Sequence, residues 1–202
     1  MAPPTPDGVG QGAGLRREPV HRRILTPLQR EFAVPPALHD VLGQRQTTGG
    51  VLAIAFAAGV FVLIWGEAVL GEMGWRNWLA FVLAVDIAAG AVANFTRGTN
   101  DFYARRPERR WVFIAVHVHL PVIGLLLGWE MGPVLAVWLG TIACAVLVNL
   151  TGNRAVVGGF CLALGLLVLP QLGMDGLELC LSALFFLKVG YGFAVDHAAG
   201  GI

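Results

Sequence analysis

Charge is scarce in this chain. Only 13 % of its 202 residues are Asp, Glu, Lys or Arg, roughly half the share usual in soluble domains. Hydrophobic residues make up 56 %. Such a chain has too few charges to cover a water-facing surface, and its apolar runs near twenty residues long point to the bilayer as solvent. The formal net charge of +1 offers no basic field, and no nucleic-acid partner is expected. Cysteine is limited to Cys144, Cys161 and Cys180. All three sit inside apolar runs and match no metal-ligand spacing, so they read as small core hydrophobes. An apolar core close to the N-terminus is missing too: the first apolar run starts near Gly49, so no secretory signal peptide is expected. No internal repeat is visible, which removes the symmetry argument for an inverted-repeat transporter.

What the chain does have is a series of apolar runs, at about 50–71, 77–95, 111–128, 132–150, 155–173 and 177–196. Each is long enough to cross a hydrocarbon core about 30 Å thick at about 1.5 Å per residue. Trp75, Trp78, Trp111 and Trp129 fall at the run boundaries, where interfacial tryptophan belongs. The expected fold class is therefore an all-α membrane protein, a bundle of six transmembrane helices over residues 49–202. Arginine sets its direction. Alternate sides of the six runs carry twelve basic residues against one, so both termini are expected to be cytoplasmic, in a plasma (inner) membrane protein. The short "GWEMGP" link (128–133) makes the third and fourth spans an antiparallel hairpin. Residues 1–48 form a cytoplasmic leader. Its first 23 residues lack a core-forming pattern and are expected to be disordered. "ILTPLQREFAV" and "PPALHDVLGQ" each read as a short helix on the membrane surface, the second opened by Pro35 and Pro36.

Ionisable residues within spans are informative because each costs roughly 2.5–3.5 kcal/mol at a helix centre. Four stand out: Asp86, His117, His119 and Lys188. Asp86 lies about 12 Å and Lys188 about 15 Å below the same boundary, on spans that run in the same direction. They are matched for an ion pair, either purely structural or also relaying protons. Asp86, Gly90 and Asn94 recur every four residues, as do Lys188, Gly192 and Asp196, and each set makes one helix face. The glycine between two polar levels permits close packing or a narrow wet crevice.

"WVFIAVHVHLPVIGLLLGW" (111–129) carries two histidines to this depth. On a regular helix His117 and His119 point about 200° apart. Pro121 lacks an N–H and clashes with the carbonyl four residues back, that of His117. A break there frees that carbonyl, turns the rings relative to each other, and calls for a buried polar partner. Collected by depth, Asn94, His117, His119, Asn149, Asp196 and His197 all belong to the cytoplasmic half. With Asp86 and Lys188 they are the binding or proton-relay candidates. The loop "NFTRGTNDFYARRPERR" (94–110) holds five arginines, read as topology determinants and contacts for anionic lipids near Arg97–Arg110. Thr96, Thr99, Asn100 and Asp101 in that loop suit a short helix cap or a pocket mouth.

"DIAAGAVANFTRGTNDFYARRPERRWVFIAVHVHLP" (86–121) and "KVGYGFAVDH" (188–197) resemble a group of small bacterial integral membrane proteins with six spans and no established activity. That resemblance implies the architecture and adds no catalytic residue. Three function classes follow from the residues. Ion, proton or small-solute binding or transport uses the polar cluster, with histidine titrating near neutral pH. A metal hydrolase, with zinc on His117, His119, His197 and Asp196, would resemble the alkaline ceramidase and adiponectin receptor superfamily, but the spacing departs from that pattern, the number of spans is one short, and no matching nucleophile-side motif is present. A non-catalytic scaffold uses Asp86–Lys188 as a structural pair. A haem reading, with His117 or His119 opposite His197, is weaker, since two axial histidines need matched depth, and six spans with Leu184, where retinal proteins carry an aspartate, argue against a retinal reading.

Overall fold

Three helices start at a side-chain cap. Thr47 Oγ1 accepts the Gly50 N–H at 3.0 Å, Asn153 Oδ1 accepts that of Val156 at 3.4 Å, and Asp175 Oδ1 that of Glu178 at 2.8 Å. Each satisfies a donor that the first helical turn leaves open. The computed structural model describes residues 26–71 and 74–195. The 1–23 stretch expected to be disordered lies outside the described residues, as do Asp196 and His197.

The architecture is all-α with one small ribbon at its N-terminal end. Strands β1 (Glu31–Ala33) and β2 (Arg45–Thr47) pair antiparallel, with Phe32 opposite Gln46. Between them lies the short helix α1 (His39–Leu42), entered through a 3-10 turn at Pro36–Leu38. The chain after Pro35 is helical over Pro36–Leu42. Over 24–34, where a surface helix is expected, the described part is instead a 3-10 turn at Pro27–Gln29 followed by β1.

The long helices are α2 (Thr48–Leu70), α3 (Trp75–Ala93), α7 (Met131–Leu150) and α8 (Arg154–Val168). A further crossing is made by α5 (Pro107–Val116) and α6 (His119–Leu127), which meet at a break. Helix α4 (Arg97–Ala104) lies in the arginine-rich loop. Among the described residues, five helices are long and apolar enough to cross a membrane, which fits an integral membrane protein. The run expected as a sixth folds as α9 (Gly176–Phe185, 10 residues) continued by a π-helical segment (Phe186–Gly192, 7 residues), so no single α-helix of span length forms there.

This last element is the centre of the bundle. The π-helical segment packs against α3, α7 and α8, and α9 against α3, α6 and α7. Leu181, Phe185 and Val189 are fully buried along it. By contrast α2 leans on α3 and leaves Phe56 75 % and Leu63 86 % exposed, the side chains that lipid covers. Gly128, in the left-handed region at φ +74°, ends α6 and turns the chain into α7, making the expected hairpin.

Candidate functional site

Asp86 is the meeting point of three elements. Lys188 Nζ, from the π-helical segment, donates to Asp86 Oδ2 at 2.6 Å and to the Asp86 carbonyl at 3.3 Å. His119 Nε2, at the start of α6, approaches the same Oδ2 at 3.6 Å. The Lys188 side chain is only 5 % exposed, against 38 % for Asp86, so the cation is enclosed and the carboxylate faces open space. That space is a cavity of about 360 Å3 lined by Asp86, Gly90, Asn94, His117, His119 and Lys188 at one end. Asp40, Tyr103 and Arg109 line the other.

The glycine in the Asp86–Gly90–Asn94 face explains how a lysine reaches this depth. A Cβ on Gly90 would lie 2.4 Å from Lys188 Cε and 2.8 Å from Nζ, so the lysine stem runs across the bare backbone of α3. This glycine provides close approach for the lysine stem and also lines the cavity. The opposite face behaves otherwise. Lys188 and Gly192 belong to a π-helix with its wider i→i+5 turns, so their four-residue spacing does not make a regular α-helical face; Asp196, the third member expected there, lies outside the described residues. The π turn has a specific product. The Lys188 carbonyl accepts the Phe193 N–H at 3.0 Å and also the Asn94 side-chain amide at 2.8 Å, tying α3 to the central helix.

The two histidines come together as the chain breaks between them. Helix α5 ends at Val116, His117 sits at φ −82°, ψ 68°, and α6 begins at His119. Their ring centroids are 5.1 Å apart, and both line the cavity. The carbonyl that Pro121 deprives of its helical partner is the His117 oxygen, and Trp138 Nε1 donates to it at 2.9 Å. His117 Nδ1 donates to the Phe113 carbonyl, and its ring packs on that of Phe113 at 3.7 Å. His119 Nδ1 is buried and has no partner among the described residues.

The mouth of the cavity is built from the leader and the arginine loop. The Tyr103 hydroxyl donates to the Asp40 carbonyl at 2.6 Å. Arg109 Nη1 lies 3.6 Å from Asp40 Oδ1, both side chains more than half exposed. Gln46, itself buried, donates to Thr96 Oγ1 at 2.8 Å, and Thr99 Oγ1 donates to the Val41 carbonyl at 3.2 Å. Gly43 and Gly98 make the backbones touch: a Cβ on Gly98 would fall 1.9 Å from the Arg45 oxygen. Burial, and then the Asp40 charge, hold the Tyr103 hydroxyl above the usual tyrosine range.

No known protein family, curated protein or solved structure matches this chain.

Of the candidates read from sequence, Asp86, Asn94, His117, His119 and Lys188 converge on the cavity. Asn149 does not. Its Oδ1 accepts from Arg110 Nη1 at 3.1 Å and its amide donates to the Ala145 carbonyl at 2.8 Å, joining α5 to α7. Arg110 is 2 % exposed, so within the 97–110 stretch it faces protein, not lipid headgroups. Asp196 and His197 lie outside the described residues. Among those described, no three His, Cys, Asp or Glu residues gather where they could hold a metal ion, so the zinc set of His117, His119, His197 and Asp196 has only two members in view. Periodicity alone did not reveal the contribution of Asp40, Tyr103 and Arg109. The contact that brings the leader to the mouth is between Gly43 and Gly98, and it is tertiary.

Proposed function

We propose that the chain is a six-span plasma (inner) membrane protein, both termini cytoplasmic, that binds or moves a proton, an ion or a small solute through the cavity in its cytoplasmic half. One observation carries this reading: an acid in mid-span, Asp86, shared by Lys188 and His119 on a cavity that is also lined by Asp40 and Arg109. From Asn94 at the end of α3 back to Asp86 is two helical turns, so the cluster sits about 12 Å inside. An intramembrane acid held in place by a cation and a histidine, and open on one side, has the parts of a proton or ion relay. The sixth span in this reading is α9 with its π-helical continuation. At about 1.5 Å per residue the two together approach 25 Å, and their place at the bundle centre shields the charge they carry. The twelve-to-one bias of basic residues supports the orientation, and the arginine-rich stretch supports contact with anionic lipids.

The test is proton movement in liposomes. Purified full-length chain, reconstituted with a trapped pH-sensitive dye and an imposed potential, is expected to carry protons, and Asp86→Asn to abolish that movement. Equal flux from Asp86→Asn overturns the reading. A second reading, that the pair serves only to join α3 to the central helix, is favoured by the near-complete enclosure of Lys188. It predicts no flux from either protein.

A further inference from the structure

One buried acid plays no part in the cavity around Asp86. Glu178 lies in the first turn of α9. Lys188 follows ten residues later on the same central helix, roughly 15 Å along its axis. Glu178 is 7 % exposed, and its Oε1 is shut off from solvent with no hydrogen-bond partner among the described residues. The charged groups that act on it are Asp175 on the same helix and Glu130 at the start of α7, both acids. The basic residue at this end of α3, Arg76, donates instead to the Leu125 carbonyl on α6 at 2.8 Å. A buried carboxylate between like charges, with no cation beside it, is costly, and one proton removes that cost. A metal ion would need further ligands, and among the described residues no three His, Cys, Asp or Glu gather to hold one. A proton needs no such shell.

Asp175, Glu178 and Ser182 are spaced three and then four residues apart, so they share one face of α9. Asp175 connects that face to the end of the bundle opposite the arginine loop. Its Oδ1 accepts the Glu178 N–H at 2.8 Å, and it lines a cavity of about 520 Å3 with Trp65, Asn77 and Trp129. Ser182, one turn further in, is fully buried. By position on the helix, Phe185 stands between Ser182 and Lys188. It is fully buried, and its ring centroid lies 6.5 Å from that of His117, which lines the cavity holding Asp86.

We propose that Glu178 is a second proton-binding site of this protein, exchanging with water at the end of the bundle opposite the arginine loop, while Asp86 exchanges through its own cavity. This rests on the function proposed above and narrows it: the species handled is the proton. Binding forms one O–H bond on the Glu178 carboxyl with a proton taken from water, and release returns that proton to water. No other bond changes. Phe185 is the barrier between the two sites.

Two measurements on the reconstituted full chain test this. The first is proton flux in liposomes for the parent, Glu178→Gln and Asp86→Asn. Glu178→Gln keeps the size of the side chain and is expected to cut flux about a hundredfold, as removal of a proton-transfer group does, with a melting temperature close to the parent's. The second is treatment of the parent with dicyclohexylcarbodiimide, which reacts with a protonated carboxyl. The acid adds across one C=N bond, hydrogen to nitrogen and oxygen to the central carbon, and an acyl shift leaves a stable N-acylurea. Peptide mass spectrometry is expected to find the adduct on Glu178, with flux falling as labelling rises. Flux from Glu178→Gln within about twofold of the parent overturns the proposal, as does an unlabelled Glu178 or full flux after labelling. Labelling needs no variant, so a poorly folding mutant does not blunt the test. Asp86-dependent flux that survives Glu178→Gln removes this site and leaves the wider reading standing. No flux from the parent removes both.

Discussion

Gly90→Ala separates the requirements of the helix from those of the ion pair. In isolation the change favours α3 by about 1 kcal/mol, because glycine is a weak helix former. The new methyl, however, would lie 2.4 Å from Lys188 Cε and 2.8 Å from Nζ, so the lysine must move. Its side chain is 5 % exposed, with no solvent to move into except along the cavity. Displacing Nζ from 2.6 Å to about 4 Å lowers the attraction to Asp86 from about 6 to about 4 kcal/mol at an effective dielectric near 20. Crowding of the packed stem adds about 1 kcal/mol. The sum, less the helix gain, is a destabilisation of about 2 kcal/mol, or about 4–8 °C in melting temperature for a chain of this size. The assay is thermal unfolding in detergent, with Gly59→Ala as control, since nothing lies within 4 Å of a Cβ there. Gly59→Ala should be neutral or slightly stabilising. A Gly90→Ala protein as stable as its parent would refute the reasoning, because Lys188 would then have another place to rest.

The other expectations concern the same cluster and its surroundings. Asp86→Ala should cost about 3–5 kcal/mol by leaving Lys188 enclosed and unpaired, and Lys188→Ala less, since Asp86 faces the cavity; the double variant should recover most of the loss. Equal and additive losses in that thermal-shift cycle would mean the two residues do not interact. Trp138→Phe should cost about 1–3 kcal/mol, because Pro121 cannot supply the N–H that the His117 carbonyl would then lack. A loss of only a few tenths would point to another donor. Tyr103 ionises later in the folded chain than in the unfolded one, so its contribution is complete below about pH 10 and declines as pH rises beyond that. Tyr103→Phe should flatten the alkaline arm of stability against pH, and an unchanged arm would assign that slope to other groups.

Much of the site was legible in the sequence because its determinants are simple. The expected equal depth of Asp86 and Lys188 in two apolar runs pointed to the pairing that the structure shows. The four-residue spacing of Asp86, Gly90 and Asn94 gave one face of a regular helix, and α3 is regular throughout. Pro121 located the break at His117 for a reason any proline supplies. The π-helical segment at 186–192 was not legible, since face arguments assume 3.6 residues per turn and nothing in "FLKVGYG" announces a wider one. For the same reason the sixth apolar run is broken into two short elements. The strands at 31–33 and 45–47 are three residues long, too short for alternation to register. The leader's part in the cavity mouth depends on tertiary contact between Gly43 and Gly98, which no local pattern encodes.

The most direct measurement asks from which side the cavity is reached. Val116→Cys, on the cavity wall, is placed in a background without the three native cysteines and treated with a membrane-impermeant maleimide in vesicles of each orientation. Labelling is predicted in inside-out vesicles alone. Labelling from the outer side, or at equal rates from both, would contradict a cavity that opens to the cytoplasm and is closed by Asp86 and Lys188.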